Sequence, residues 1–288
     1  MVAIHGHAEA WTEFWRDQDR QSPCCAGSPE IRFRLDGHWH EYARTLTSGA
    51  RVVDLGCGTA AVGRALLASQ SSLQVIGIDF SVVPLCSDGR IRILPNTAME
   101  NLPFQDAMFD SAVSQFGFEY ADIDRASREV ARVLRPGGSF SFLVHHSDAR
   151  IVTDSVSHRK ALEAICGQEI ETAFFSGDIR RLEQALSTIR REGSSERIIE
   201  EASEGLRRHI SRALIHRAEI WRAVKVALEP EFVMLAGLQR SAVSPARMES
   251  WLRPLAANFE LKVPAVMDMA AGQPLCWIVE GQRKAQTP

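Results

Sequence analysis

The chain has 288 residues, 45% of them hydrophobic and 24% charged, with a formal net charge of -3. That composition suits a soluble globular domain with a large core, and the slight negative charge gives no global attraction to nucleic acid or to an anionic membrane. No window approaches a spanning apolar run, the N-terminal MVAIHGHAEAWTEFW lacks a leader's basic head and apolar stretch, and the six cysteines are scattered, so a cytoplasmic protein with reduced thiols is expected.

Trp11, Phe14 and Trp15 fall on one helical face. Ser22-Pro23 and Gly27-Ser28-Pro29 mark a loop around Cys24-Cys25, and a helix carrying Trp39, Tyr42 and Leu46 leads to Ser48-Gly49. Cys24, Cys25, His38 and His40 raise the question of zinc. Adjacent cysteines lack the gap of two to four residues that brings both thiolates to one tetrahedral ion, so no metal is expected.

Val52-Val53 reads as the buried end of a parallel strand stopping at Asp54. Gly56 and Gly58 then allow a sharp turn and close approach to a ligand, and Ala60 to Leu67 reads as a helix pointing its N-terminus back at the turn. The third glycine is delayed to Gly63, which departs from the dinucleotide fingerprint G-x-G-x-x-G. A second strand, Leu73 to Asp79, ends in an acid about 20–25 residues past the turn, where a nucleoside site places the carboxylate that accepts ribose hydroxyls. Pro84 abbreviates the helix that follows, and Ile91–Leu94 forms a third strand. Glu100-Asn101-Leu102-Pro103-Phe104 precedes a fourth strand, Phe109 to Gln115. A helix from Asp122 to Leu134 leads through Arg135-Pro136-Gly137-Gly138 into a fifth strand, Ser139–Val144, with the proline ending the helix and the glycines reversing the chain.

The strand-end acid with its glycine turn, the ENLPF…FD stretch and the RPGG turn, in this order, resemble the class I S-adenosylmethionine-dependent methyltransferases. The resemblance covers Arg51 to His145 and the C-terminal strands Phe259–Val266 and Leu275–Glu280, joined by Ala-Gly-Gln-Pro. It implies a Rossmann-like α/β fold: a seven-stranded, mostly parallel sheet with an antiparallel C-terminal edge pair. The cofactor implied is S-adenosylmethionine, held by Asp54, Gly56, Gly58, Asp79, Phe80, Ala98, Met99 and Gln115. Ala98 stands where the family often has an acid for the adenine amino group, so backbone and apolar contacts are expected there.

Between His145 and Ser244 lies a helix-rich insertion, with apolar residues at three- and four-residue intervals in Asp178–Arg191 and Arg197–Val226. Its arginines are nearly offset by glutamates and no stacking aromatics are interleaved, so a solvated face is expected rather than an RNA-binding one. The organisation expected is one domain: an N-terminal helical cap (1–50), a cofactor-binding core (51–145), a helical lid (146–243) and a C-terminal helix with the strand pair (244–288).

The leading function is methyl transfer to an oxygen or nitrogen of a small-molecule acceptor. The absence of an NPPY or DPPY tetrad after the fourth strand argues against methylation of base amino groups. A protein that binds the cofactor without methylating, and an NAD-dependent oxidoreductase, are the alternatives. His145 and His146 end the fifth strand at the ligand edge, and since neighbouring strand residues point to opposite faces, one of them at most is expected to act as general base. Glu119 and Tyr120, after the fourth strand, are the candidates to orient acceptor or base.

Overall fold

The computed structural model describes residues 2–16, 28–84, 86, 88–191, 196–269 and 272–285. Ser22-Pro23, Cys24-Cys25 and Gly27 of the expected loop, and Ala271 of the expected C-terminal turn, lie outside them. The strands are β1 (Arg51–Leu55), β2 (Gln74–Ile78), β3 (Ile91–Leu94), β4 (Phe109–Gln115), β5 (Leu134–His145), β6 (Phe259–Leu261), β7 (Ala265–Asp268) and β8 (Pro274–Arg283). The helices are α1 (Val2–Arg16), α2 (Pro29–Thr45), α3 (Ala61–Ser69), α4 (Ile123–Val133), α5 (Arg150–Ile165), α6 (Gln168–Ser176), α7 (Ile179–Arg191), α8 (Glu196–His209), α9 (Leu214–Ser241) and α10 (Pro245–Asn258), and Phe118–Tyr120 forms a 3₁₀ turn.

The sheet runs β3-β2-β1-β4-β5-β8-β6, with β7 also paired to β8. β1 to β5 are parallel, and β8 runs antiparallel between β5 and the β6–β7 edge. Eight strands replace the expected seven because the edge strand breaks between Leu261 and Ala265. Lys262 N–H still bonds Glu280 C=O, but Ala265 already faces Ile278. One extra residue therefore sits in the edge at Val263-Pro264, and Pro264 has no N–H to continue the ladder.

Two details of the α4–β5 connection differ from the sequence reading. Asp122 caps α4 by accepting the Arg125 N–H, and the helix ends at Val133 as Leu134 enters the sheet opposite Phe109. Gly137 alone takes a left-handed backbone, with φ of 75°, whereas Gly138 is required by space: a Cβ there would stand 2.9 Å from the Arg135 carbonyl oxygen. Among the described residues no helix separates β2 from β3.

The chain divides into two compact units: residues 1–10 with Ile151–Arg240, and Trp11–Arg150 with Ser241–Pro288. The helical unit has its own core, in which Ile165, Phe174, Leu182, Leu186 and Trp221 are buried. The periodic stretch Arg197–Val226 falls in two helices, α8 and α9, and the Arg217 guanidinium binds the Ile210 and Arg212 carbonyls that the break leaves open. In the sheet unit, Val53, Leu55, Phe109, Phe118, Phe140, Phe142, Leu255 and Phe259 form a core of fully buried apolar side chains. Burying each contributes about 1.5–3 kcal/mol. No helix among the described residues is long and apolar enough to cross a membrane.

α2 attaches to the sheet by polar contacts. Trp39 Nε1–H donates to Gln115 Oε1 (2.7 Å), Tyr42 Oη lies 2.8 Å from Ser111 Oγ and 2.9 Å from Ser139 Oγ, and His38 Nε2 lies 3.0 Å from Ser141 Oγ. Ser141 in turn donates to Glu280, which also pairs with Lys262.

Candidate active site

The parallel strands β1, β2, β4 and β5 bring their C-terminal ends to one edge, the place where open α/β sheets bind ligands. At the end of β1 the chain enters Gly56 and Gly58 with φ of 68° and 49°. A Cβ on Gly58 would also stand 2.7 Å from the Trp15 ring, so glycine is required there by backbone and by contact alike. Gly63, the delayed glycine, has a packing role: a Cβ there would meet Ile91 and Val75 at 3.1 and 3.2 Å, so it lets α3 lie close on the sheet.

Asp54 is 1% exposed; the Gly63 N–H is aimed at its carboxylate, but neither oxygen closes a full hydrogen bond among the described residues. Burial pushes its pKa up to about 7; the Gly63 N–H opposes the rise, Asp79 adds to it and Arg64 reduces it. Asp79, at the end of β2, is well partnered by contrast. Its Oδ2 accepts the Gly58 N–H (2.9 Å), and its Oδ1 accepts the Ser81 N–H (2.9 Å) and hydroxyl (2.6 Å). Burial raises its pKa against those bonds. A carboxylate offers about four acceptor positions, so capacity for a further donor remains.

Met99 is buried, with its Cε 3.9 Å from where a Gly56 Cβ would be. Phe80 and Ala98 are half-buried on the β2–β3 and β3–β4 connections. The Gln115 side chain goes to Trp39 of α2.

The second half of the edge is built by β4, the 3₁₀ turn and β5. Ser114 Oγ donates to the Leu55 carbonyl (2.7 Å) and accepts the Phe118 N–H (3.1 Å), tying the end of β4 to the end of β1. The 3₁₀ turn carries Glu119 inward, with a fully buried side chain. Glu119 Oε1 lies 3.0 Å from the His145 backbone nitrogen and 2.7 Å from its Nδ1. Phe116 stacks on the His145 ring at 4.4 Å, and Tyr120 meets it edge-on at 6.2 Å. Trp11 touches both Tyr120 (5.9 Å) and Trp15 (6.0 Å), so an aromatic chain runs from the glycine turn to the histidine. His146 goes elsewhere: it stacks on Trp277 at 4.6 Å, and its Nδ1 accepts the Asp148 N–H.

The structure thus brings Asp54, Gly56, Gly58, Asp79 and Met99 together around one turn, and His145, Glu119 and Tyr120 around one imidazole. Sequence reasoning missed Phe116 and Ser114 as parts of this edge. Phe116 holds a left-handed backbone (φ 57°) that a phenylalanine gives no signal for. A cavity of about 390 Å³ lined by Asp106, Arg128, Arg132 and Arg283 contains none of these residues.

Residues 53–142 match the family model described as a methyltransferase domain. Over those residues the chain is similar to a methyltransferase domain. The demethylmenaquinone methyltransferase of Corynebacterium kroppenstedtii is 43% identical over 110 residues, covering 36% of this chain and 47% of that protein. That of Mycobacterium tuberculosis is 37% identical over 109 residues, covering 36% and 45%. The chain therefore spans a little under half the length of these curated relatives. Among solved structures, Burkholderia thailandensis 1,6-didemethyltoxoflavin-N1-methyltransferase, with S-adenosylhomocysteine bound, superposes with a TM-score of 0.52 at 12% identity, covering 99% of this chain and 89% of that one. Streptomyces coelicolor geranyl diphosphate C-methyltransferase gives 0.50 at 12% identity, covering 98% of each. At such identities the likeness is one of fold alone.

Proposed function

We propose that the chain is an S-adenosylmethionine-dependent methyltransferase acting on a small-molecule acceptor, at oxygen or nitrogen. The observation that carries this reading is the fully buried Asp54 carboxylate at the glycine turn, approached by the Gly63 N–H but with both oxygens short of a full hydrogen bond. A buried carboxylate so weakly met costs several kcal/mol unless a ligand's positive or donor group reaches it, and S-adenosylmethionine has both an ammonium and a sulfonium. Asp79 would accept the ribose hydroxyls with its remaining capacity, and Gly56 and Gly58 would let the methionine end approach the backbone. Phe80, Ala98 and Met99 would border the adenine, and Gln115 would serve through its position at the strand end. The cofactor supplies an electrophilic methyl group, so the protein's own work is to align the acceptor, exclude water and take its proton.

His145, backed by Glu119, takes the role of base, with Tyr120 bordering it; His146 does not act. The helical unit, Ile151–Arg240, sets the choice of acceptor. The relatives' name makes demethylmenaquinone an acceptor to test beside oxygen and nitrogen ones, and since its methyl is added at carbon, turnover of it would move the reaction from oxygen or nitrogen to carbon; the net charge of -3 supports a small molecule over a nucleic acid. Calorimetry with S-adenosylhomocysteine tests the cofactor: micromolar or tighter binding is expected. No heat with that ligand, together with thermal stabilisation by NAD, would replace the reading with the oxidoreductase one. Full turnover by a folded chain lacking the helical unit would remove its role in acceptor choice.

A further inference from the structure

We propose that His145 and His146, neighbours in sequence, are locked in opposite tautomers, which makes His145 Nε2 the proton-accepting atom of the site and Glu119 its positioning residue. The inference follows from which partners can only donate. Glu119 Oε1 accepts the His145 backbone N–H at 3.0 Å, a group with no acceptor capacity. The same oxygen lies 2.7 Å from His145 Nδ1, and an ionised carboxylate oxygen takes a second hydrogen only if Nδ1 carries it. A neutral imidazole with its proton on Nδ1 has its lone pair on Nε2. At His146 the order is reversed. Its Nδ1 is 3.0 Å from the Asp148 N–H, which can only donate, so Nδ1 is bare and the proton is on Nε2. That lone pair is spent on a backbone group, and the ring is stacked on Trp277.

Phe116 reinforces the first lock. Its backbone is held in the sparsely populated left-handed region, and this conformation accompanies a ring stacked on His145 at 4.4 Å, which limits rotation of the imidazole. The catalytic meaning rests on the methyl-transfer reading. With the cofactor bound, an acceptor X–H would pass its proton to Nε2 and keep the X–H electron pair, the X–C bond would form as the S–C bond breaks, and that bond's electrons would return to sulfur, leaving the thioether product. The imidazolium would keep its Nδ1–H on Glu119.

The test needs no acceptor. In ¹⁵N-labelled protein at pH 8, two-bond imidazole correlations report which nitrogen carries hydrogen, and the nine histidines are assigned with His145→Gln and His146→Gln. The expected spectrum has His145 with a protonated Nδ1 and bare Nε2, and His146 with the reverse. Glu119→Gln, whose amide oxygen can accept both hydrogens, keeps the His145 pattern. Glu119→Met loses it, while His146 is unchanged. A wild-type spectrum with hydrogen on His145 Nε2, or the same tautomer at both rings, overturns the assignment, and so does an unaltered His145 pattern in folded Glu119→Met. Calorimetry with S-adenosylhomocysteine on the same samples separates the two readings. Opposite tautomers without binding leave the assignment standing and remove the methyl-transfer reading, whereas binding with matching tautomers does the opposite.

Discussion

Gly56 and Gly117 lie backbone to backbone: a Cβ on Gly117 would stand 3.3 Å from Gly56 Cα and 3.1 Å from the Leu55 carbonyl oxygen. The turn proposed to hold the cofactor and the turn that carries Glu119 are thus in direct contact. Two of the three nearest atoms are backbone, and the third, Ser114 Oγ at 3.2 Å, is held by its bonds to Leu55 and Phe118. Gly117→Ala should therefore lower stability by about 1–3 kcal/mol, the usual cost of overpacking. It should also weaken S-adenosylhomocysteine binding about tenfold by displacing Gly56. Unchanged affinity in calorimetry would mean that the two turns move independently.

Asp79→Ala removes the acceptor proposed for the ribose and also releases the Gly58 and Ser81 N–H groups. Charge-assisted hydrogen bonds contribute about 1.5–3 kcal/mol, so affinity for S-adenosylhomocysteine should fall roughly ten- to hundredfold. A variant that folds and binds like wild type would take Asp79 out of the cofactor site.

Asp54→Asn should have opposite effects on stability and binding. The folded carboxyl keeps its proton up to about pH 7, whereas an unfolded one releases it near its ordinary 3.8. Between those values the folded state binds more protons, so this group's contribution falls as pH rises through the window. By pH 8 the loss is on the order of 2–4 kcal/mol, and the asparagine variant avoids it. Chemical denaturation at pH 8 should find the ligand-free variant more stable than wild type, with binding of S-adenosylhomocysteine much weakened. A variant that is less stable at pH 8 would show that Asp54 has a structural partner.

His38 supplies the contrary pH dependence. Burial lowers its pKa below 6.5, against the raising influence of Glu280 and Glu41. The unfolded ring therefore takes up its proton first as pH falls, and the stability the neutral ring provides is lost from about pH 6.5 downward. His38→Gln should flatten the acid side of a plot of Tm against pH measured in the Asp54→Asn background, where the opposing carboxyl is absent. An unchanged acid slope would exclude His38 as its source.

Much of this frame was legible because local chemistry decided it. β-branched runs gave β1 and β2, β3 and β4 fell on the residues expected, and the alternation of apolar and polar positions marked the helices of the insertion. The mostly parallel sheet with its antiparallel C-terminal edge followed from the resemblance rather than from any single residue. The site was legible where a residue type is forced by backbone geometry, as at Gly56 and Gly58, or stands at a strand end, as do Asp79 and His145. Long-range partners were not. Nothing near Gln115 indicates that its side chain meets Trp39, and nothing in Phe-Gly-Phe-Glu-Tyr shows which residue takes the left-handed turn. The break at Val263-Pro264 was hidden because the edge strand's pattern carries on across it.

The attachment of α2 has a consequence for how the protein comes apart. The face of β4 and β5 beneath that helix presents Ser111, Gln115, Ser139 and Ser141, each bonded to a specific α2 side chain. If the helix detaches, that sheet surface exposes hydroxyls and an amide that water can bond at once, beside the apolar Val113 and Leu143. Partial opening on this side therefore uncovers less apolar surface than it would on the face that carries Phe140 and Phe142. Acid, by charging His38, loosens the molecule where exposure does least harm.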